Sequence, residues 1–235
     1  MSRAEDRTLP PPPQIRRVVR GAVSDLYYNS WRFLGANILL GLTLILIVLA
    51  AVGSPWALGL LPIAAVPAAG MMRMATVLVR DGHADFSDVT AVLRRPWTAL
   101  AVGTVQSAIA LVLVVDMWLG AAIGSFTGAL LSVSAVYGLV IWWAFAAVAW
   151  PLLLDPERQG VPIARRLRLA AVVLVAHPFR VGVVLVLVGA ALALSLLMIA
   201  PFVTFAAALG WLMIARFVLP VADRIEGRRT LVLGG

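Results

Sequence analysis

The chain of 235 residues has no cysteine and no lysine, and only 13% of its residues are charged. The absence of cysteine excludes disulfides, thiolate metal ligands and cysteine nucleophiles. A soluble domain carries about a quarter charged residues, whereas this chain is 62% hydrophobic. Because one helical crossing of a bilayer takes roughly 20 apolar residues, the chain has room for about five to seven crossings.

Long apolar runs recur along the chain, separated by short segments rich in proline, glycine or arginine. They predict an all-α, polytopic membrane protein with about six transmembrane helices in one domain over 15–224. A flexible, basic and proline-rich tail is expected at 1–14 and a short tail at 225–235. The predicted crossings are 34–52, 56–79, 97–119, 129–154, 181–199 and 202–219.

Three further segments are predicted to be short helices at the membrane surface. Segment 15–31 places apolar residues opposite arginines, which is typical of an amphipathic helix resting in an anionic leaflet. Segment 85–95 has acids in its first turn and arginines in its last, which complements the helix dipole. Segment 163–176 is about half a crossing long, and joining it to the next run would leave Arg180 in mid-bilayer, so we predict a shallow position.

Two junctions between a surface helix and a crossing are similar, RRPW at 94–97 and HPFR at 177–180. Each has a basic residue or histidine, then proline and an aromatic residue. The matched residues are few, and we interpret the similarity as the same physics acting twice rather than as an internal repeat.

The positions of the arginines predict the topology. They fall before the first crossing, between the second and third, between the fourth and fifth, and after the sixth. The positive-inside bias therefore places both termini in the cytoplasm. The same distribution explains the formal net charge of +8 through membrane topology, without a nucleic-acid partner.

Four arginines are the first candidates for contact with anionic lipid or a protein partner: Arg73, Arg94, Arg95 and Arg180. Arg73 lies about two turns from the cytoplasmic end of the second crossing. It could bind a substrate anion or a carboxylate, although a side chain at this depth can also extend to the headgroups. Neutralising such surface arginines is expected to weaken membrane binding by about 1 kcal/mol each.

Polar and helix-breaking residues inside the apolar runs are a second group of candidates. Asp116 is the one acid within an apolar run and is either functional or solvated near the outer surface. Asn37 is a further intramembrane polar residue. Pro62 and Pro67 each remove a backbone donor, so we predict that they kink the second crossing and face protein on the broken side.

Catalytic and metal chemistry is not indicated. His83 is expected in a solvated turn and His177 at a helix end, with no acidic or cysteine companions at ligand spacing. Three tryptophans of the fourth crossing could stack on a sugar ring, but packing or an interfacial belt is the simpler interpretation. We predict no catalytic residue, no cofactor and no metal.

Three glycines, at 120, 124 and 128, have a spacing that allows helix ends to approach closely.

The residues also resemble the bacterial YesL family of membrane proteins. The resemblance rests on the aromatic-rich entry, LPIAAVPA at 61–68, VRDG at 79–82 and a Phe-containing surface helix, followed by AVAWPLL at 147–153 and AHPFR at 176–180. It spans 25–224. The family usually has LPIVTIGP and lysine-rich loops, so this chain lacks the Thr and Gly near the kink. The resemblance implies a protein of the bacterial cytoplasmic membrane, often encoded beside carbohydrate importers, with no established activity.

Three hypotheses for function follow. The first is a non-catalytic accessory component associated with oligosaccharide uptake, with subunits of a carbohydrate ABC importer as partners implied by the resemblance. The second is a small-solute transporter or permease, although segment 155–180 lacks the coupling helix of an importer permease. The third is a structural or assembly protein without a ligand. The oligomeric state is left open.

Overall fold

The computed structural model describes residues 13–196 and 205–227, and all regular secondary structure in these stretches is helical. The all-α prediction is therefore confirmed. Short 3₁₀ turns occur at Pro55–Leu60 and Pro156–Arg158. The helices are α1 (Ile15–Tyr28), α2 (Ser30–Gly53), α3 (Leu61–Asp81), α4 (Phe86–Arg94), α5 (Trp97–Ile123), α6 (Phe126–Leu154), α7 (Ile163–Ala176), α8 (Pro178–Leu196) and α9 (Ala207–Ile225).

Four helical stretches are long and apolar enough to cross a bilayer. They are α2, α3 with the turn before it (Trp56–Asp81), α5 and α6. Helices α7 and α8 pass the same test as a pair bent by 96°, which gives up to five. The end of the predicted fifth crossing and the start of the sixth fall on 197–204, outside the described residues, as does most of the predicted N-terminal tail. A helical membrane protein is the class that these lengths and compositions support.

Local sequence signals explain where several helices begin and end. Helix α3 ends at Gly82, whose φ of 74° is left-handed. Helix α4 begins with a capping box, in which the side chains of Asp85 and Asp88 each bind the backbone N–H of the other. The turn between α5 and α6 consists only of Gly124 and Ser125, so both helices extend beyond the predicted crossings.

The helices follow one order three times: a short helix, an outer helix and an inner helix. The three units are α1–α2–α3, α4–α5–α6 and α7–α8–α9. The inner helices α3, α6 and α9 contact one another and supply much of the buried core. By contrast, only 11% of the apolar window of α5 is buried, so this outer helix presents most of its surface to the surroundings.

The packing of the short helices is cyclic. Helix α4 packs on α3, α7 packs on α6, and α1 closes the ring by packing on α9. Each short helix thus contacts the inner helix of the unit before it. Exposed aromatic residues follow the three junctions with the outer helices, at Trp31, Trp97 and Phe179. This equivalence favours an internal repeat over the coincidence that we inferred from the sequence.

Glycines allow the closest approaches between α5 and its neighbours. A Cβ atom at Gly103 would lie 3.3 Å from the carbonyl oxygen of Pro62, against α3. A Cβ atom at Gly120 would lie 2.6 Å from the Ser132 hydroxyl oxygen and would also meet the Gly128 carbonyl of α6. The prediction that the small residues at 120 and 128 bring helix ends together is confirmed.

Candidate functional site

Four charged side chains are buried together where the three inner helices end. Arg80 lies in the last turn of α3, Asp155 follows α6, Arg158 lies in the 3₁₀ turn after it, and Asp223 lies near the end of α9. These side chains are at most 3% exposed. We call these four residues the ionic cluster.

Both arginines of the ionic cluster bind both aspartates. Arg80 donates from Nη2 to Asp155 Oδ2 at 2.6 Å and from Nη1 to Asp223 Oδ2 at 2.6 Å. Arg158 donates from Nη2 to Asp223 Oδ1 at 2.6 Å and from Nη1 to Asp155. The planar guanidinium fork suits such paired contacts, which a lysine ammonium could not make. Positive and negative groups therefore alternate around the cluster.

The electrostatic balance of the ionic cluster depends on every member. Burial opposes the charged form of Asp223, but hydrogen bonds from Arg80 and Arg158 outweigh it and hold the pKa of this carboxyl below its usual range. Burial likewise opposes the charged form of Arg158, yet its bonds with Asp223 and the charge of Asp155 raise the pKa of the guanidinium. Loss of one member would leave a buried charge uncompensated.

Two glutamates connect the ionic cluster with the surface. Glu157 Oε2 lies 3.4 Å from Arg80 Nη1, and its side chain is 48% exposed. Glu226 Oε2 lies 2.8 Å from Arg158 Nη2, and its side chain is 13% exposed. The two arginines of the ionic cluster thus contact four carboxylates, two within the cluster and two nearer the surface.

Sequence reasoning missed this cluster. The arginines between the crossings were used only to assign topology, and neither Asp155 nor Asp223 was singled out. A usable signal was present, because the inner helices or the turns after them end in VRDG at 79–82, PERQG at 156–160 and RIEG at 224–227. Charged residues and glycine thus occur together at the ends of all three inner helices.

Further arginines tie each short helix, or the loop before it, to the bundle. The guanidinium of Arg216 in α9 packs against Gly21 of α1, where a side chain would collide with it. It donates from Nη2 to Asp25 Oδ1 at 2.7 Å. Arg32 Nη1 donates to the Ala84 carbonyl at 2.8 Å, before α4. In α7, the Nη1 of Arg166 donates to the carbonyl of Leu153 at 2.7 Å. The expected position of α1 in a leaflet is thereby modified, because part of its apolar face packs on α9.

The four candidate arginines lie on three different helices. Arg73 is half-buried in α3, and its guanidinium Nη1 lies 2.8 Å from the side-chain oxygen of Gln159 when that amide is oriented to accept. This contact joins Arg73 to the turn that follows α6. Arg94 and Arg95 are exposed at the end of α4, and Arg180 is half-buried in the first turn of α8.

The polar and proline candidates lie in separate places. Asn37 is buried in α2, and Asp116 is half-buried in α5, one turn before Gly120. Pro67 lies inside α3 and is buried. Pro62 lies in the first turn of α3, where backbone N–H groups have no intrahelical partner, so it begins the α-helix after the 3₁₀ turn instead of interrupting it.

His83 and Trp150 each have a polar partner within the protein. His83 Nε2 lies 3.2 Å from Asp85 Oδ2 in an exposed loop. Trp150 Nε1 donates to Gln106 Oε1 at 2.9 Å, which joins α6 to α5. Among the described residues, no three histidine, aspartate or glutamate side chains are grouped so as to hold a metal ion.

Comparisons with protein-family models, curated proteins and solved structures found no match to this chain. The class is therefore defined by the fold and the site alone. It is an all-helical, membrane-type protein whose three inner helices end in a buried ionic cluster.

Proposed function

We propose that the protein is a multi-pass protein of the bacterial cytoplasmic membrane, similar to the YesL family, and a non-catalytic accessory component of oligosaccharide uptake. In this proposal it has six crossings and both termini in the cytoplasm. The arginine-rich end of the bundle then contacts anionic headgroups, and subunits of a carbohydrate ABC importer are the partners.

The position of the buried polar groups carries the proposal. Six polar or charged residues are buried in the part of the chain that the structure describes, and four form the ionic cluster. A fifth, Thr76, lies one turn before Arg80 in α3. The sixth, Asn37, lies two turns into α2, whose first turn is tied to Ala84 near the same end of the bundle.

The rest of the described core is apolar. Methionines of α3 pack there with aliphatic side chains of α6 and α9. The gap between α6, α8 and α9 is likewise lined by apolar side chains, including Val148, Val184 and Phe217. A solute carrier would require polar groups along its path at mid-membrane, so this distribution supports an accessory role over a transporter.

Helix α4 offers the docking surface in this proposal. Val89 and Val92 are buried against the bundle, which leaves Ser87 and Ala91 exposed on the other side. The exposed Arg94 and Arg95 follow at the end of the same helix. A short helix that is held on one side and exposes Ser87, Ala91 and Leu93 on the other can bind a partner without any catalytic group.

Cross-linking in native membranes tests the partner. The natural chain has no cysteine, so Ser87→Cys or Ala91→Cys would give a single reactive thiol. We expect either variant to cross-link to an importer subunit, and Ser54→Cys, at the opposite end of α3, not to do so. The absence of any importer subunit among the products of both α4 variants would contradict the proposal.

Growth and transport assays test the function. Deletion of the gene should impair growth on a complex oligosaccharide and leave growth on simple sugars intact. The purified protein alone should move no solute across liposomes. Solute movement by the purified protein would instead establish the transporter hypothesis.

A further inference from the structure

The two helix ends that supply aspartates to the ionic cluster each follow a proline. Pro151 lies inside α6, four residues before Asp155, and Pro220 lies inside α9, three residues before Asp223. Proline has no N–H, so each helix lacks one backbone hydrogen bond just before the cluster. Such positions are where helices bend most readily.

A buried ionic cluster is a poor device for stability alone. Removing charges from water is costly, and apolar side chains of similar size often stabilise a core equally well or better. Buried ionic groups are better suited to specifying one conformation or to switching between two. Stability alone is therefore a weak explanation for the cluster, and a conformational role is the alternative.

The contacts also define how the cluster can separate. Asp155, Glu157 and Arg158 belong to the end of α6 and the turn after it, and Arg80 can keep Asp155 and Glu157 as partners. Asp223 belongs to α9, and its bonds to Arg80 and Arg158 cross between α9 and the other two inner helices. If α9 moved away, the arginines would retain carboxylates and Asp223 would enter water.

We propose that the ionic cluster is a releasable clasp, which holds the end of α9 against α3 and α6 and, when broken, lets that end bend away at Pro220. Helix α1 would stay in place, because Asp25 is bound to Arg216, which precedes Pro220 in α9. Glu157 and Glu226 connect the clasp with the exposed surface at the arginine-rich end. This device is independent of whether the protein serves oligosaccharide uptake.

Thiol accessibility in lipid nanodiscs tests the clasp. Leu219→Cys, in α9 one turn before Asp223, reports local opening because Leu219 is 1% exposed. Ala135→Cys, in the part of α6 remote from the cluster and 4% exposed, reports loosening of the whole protein. In the Arg80→Gln background, a soluble maleimide should label position 219 about 100-fold faster or more. Labelling at position 135, which requires opening of the whole protein, should accelerate far less.

Two more variants keep the test decisive. Asp223→Asn, which preserves side-chain shape, should also accelerate labelling at position 219. Pro220→Ala should reduce the acceleration in the Arg80→Gln background, because alanine restores the backbone donor. Equal acceleration at positions 135 and 219, no acceleration in a folded Arg80→Gln protein, or unfolding of both cluster variants would overturn the proposal.

Discussion

Removal of the Arg80 guanidinium is the most direct perturbation of the ionic cluster, because this group donates four hydrogen bonds to two buried carboxylates. In Arg80→Gln, Asp155 and Asp223 would share Arg158 alone. Taking one partner from a buried ion pair costs about 3–5 kcal/mol. Because 1 kcal/mol corresponds to about 2–4 °C for a chain of this size, we expect Tm to fall by about 6–20 °C.

A double-mutant cycle separates pairing from general damage. Arg80→Gln with Asp223→Asn removes one charge of each sign and leaves Arg158 facing Asp155. We expect the double variant to be more stable than the sum of the single effects by about 1–3 kcal/mol. Thermal unfolding in detergent measures all four proteins, and Arg94→Gln, on the exposed end of α4, should change stability by less than about 0.5 kcal/mol.

The reasoning would be refuted by additive single effects, which would mean that Arg80 and Asp223 do not interact. It would equally be refuted if Arg80→Gln melted at the same temperature as Arg94→Gln. Either result would show that the side chains of the cluster are not paired as the structure describes.

Three further predictions concern other contacts. Asp25→Asn should weaken the bond with Arg216 by about 1–3 kcal/mol, and hydrogen exchange in α1 should rise while exchange in α3 stays constant. Because Asp223 has a lowered pKa, its stabilising contribution should be complete above the ordinary value of 3.8 and be lost as pH falls through the lower folded value. In Asp223→Asn, the free energy of unfolding should therefore fall less steeply as the pH is lowered below 3.8. The same pH dependence in the variant and the natural protein would contradict this. Gly128→Leu should separate α5 from α6 and lower Tm, because any side chain there meets the Gly120 carbonyl; an unchanged Tm would exclude that contact.

Elements with local signals could be predicted closely from the sequence. The acids at the start of α4, the arginines at its end and Pro96 after it all act within a few residues of chain. The structure accordingly has this helix at Phe86–Arg94, within one residue of the predicted segment at each end. The α5–α6 turn was predicted too long, because glycine at 120 and 128 was interpreted as loop when both belong to helices in close contact.

The ionic cluster could not be predicted because its pairs are distant in sequence. Arg80 and Asp223 are 143 residues apart, so only the packing of α9 on α3 brings them together. The positive-inside rule accounts for any arginine near the end of a crossing. It therefore treats the buried Arg80 and the exposed Arg94 alike, and gives no reason to search for their partners.

Helix α1 shows a second limit of sequence patterns. Its apolar stripe predicts burial but does not distinguish a lipid leaflet from a neighbouring helix. In the structure Val18 and Ala22 are buried in the core beside α9, while Tyr27 and Tyr28 are exposed. The contact with α9 depends on the cyclic packing of the three units, and the local sequence of α1 contains no information on that packing.

Labelling of single thiols in intact cells tests most directly the claim that the ionic cluster faces the cytoplasm of a multi-pass membrane protein. Ser54→Cys, exposed between α2 and α3, and Gly160→Cys, exposed beside the cluster with open space around its Cβ position, provide the two reporters. The account predicts that a membrane-impermeant maleimide labels position 54 in intact cells and position 160 only after the membrane is permeabilised. Labelling of position 160 in intact cells would contradict it.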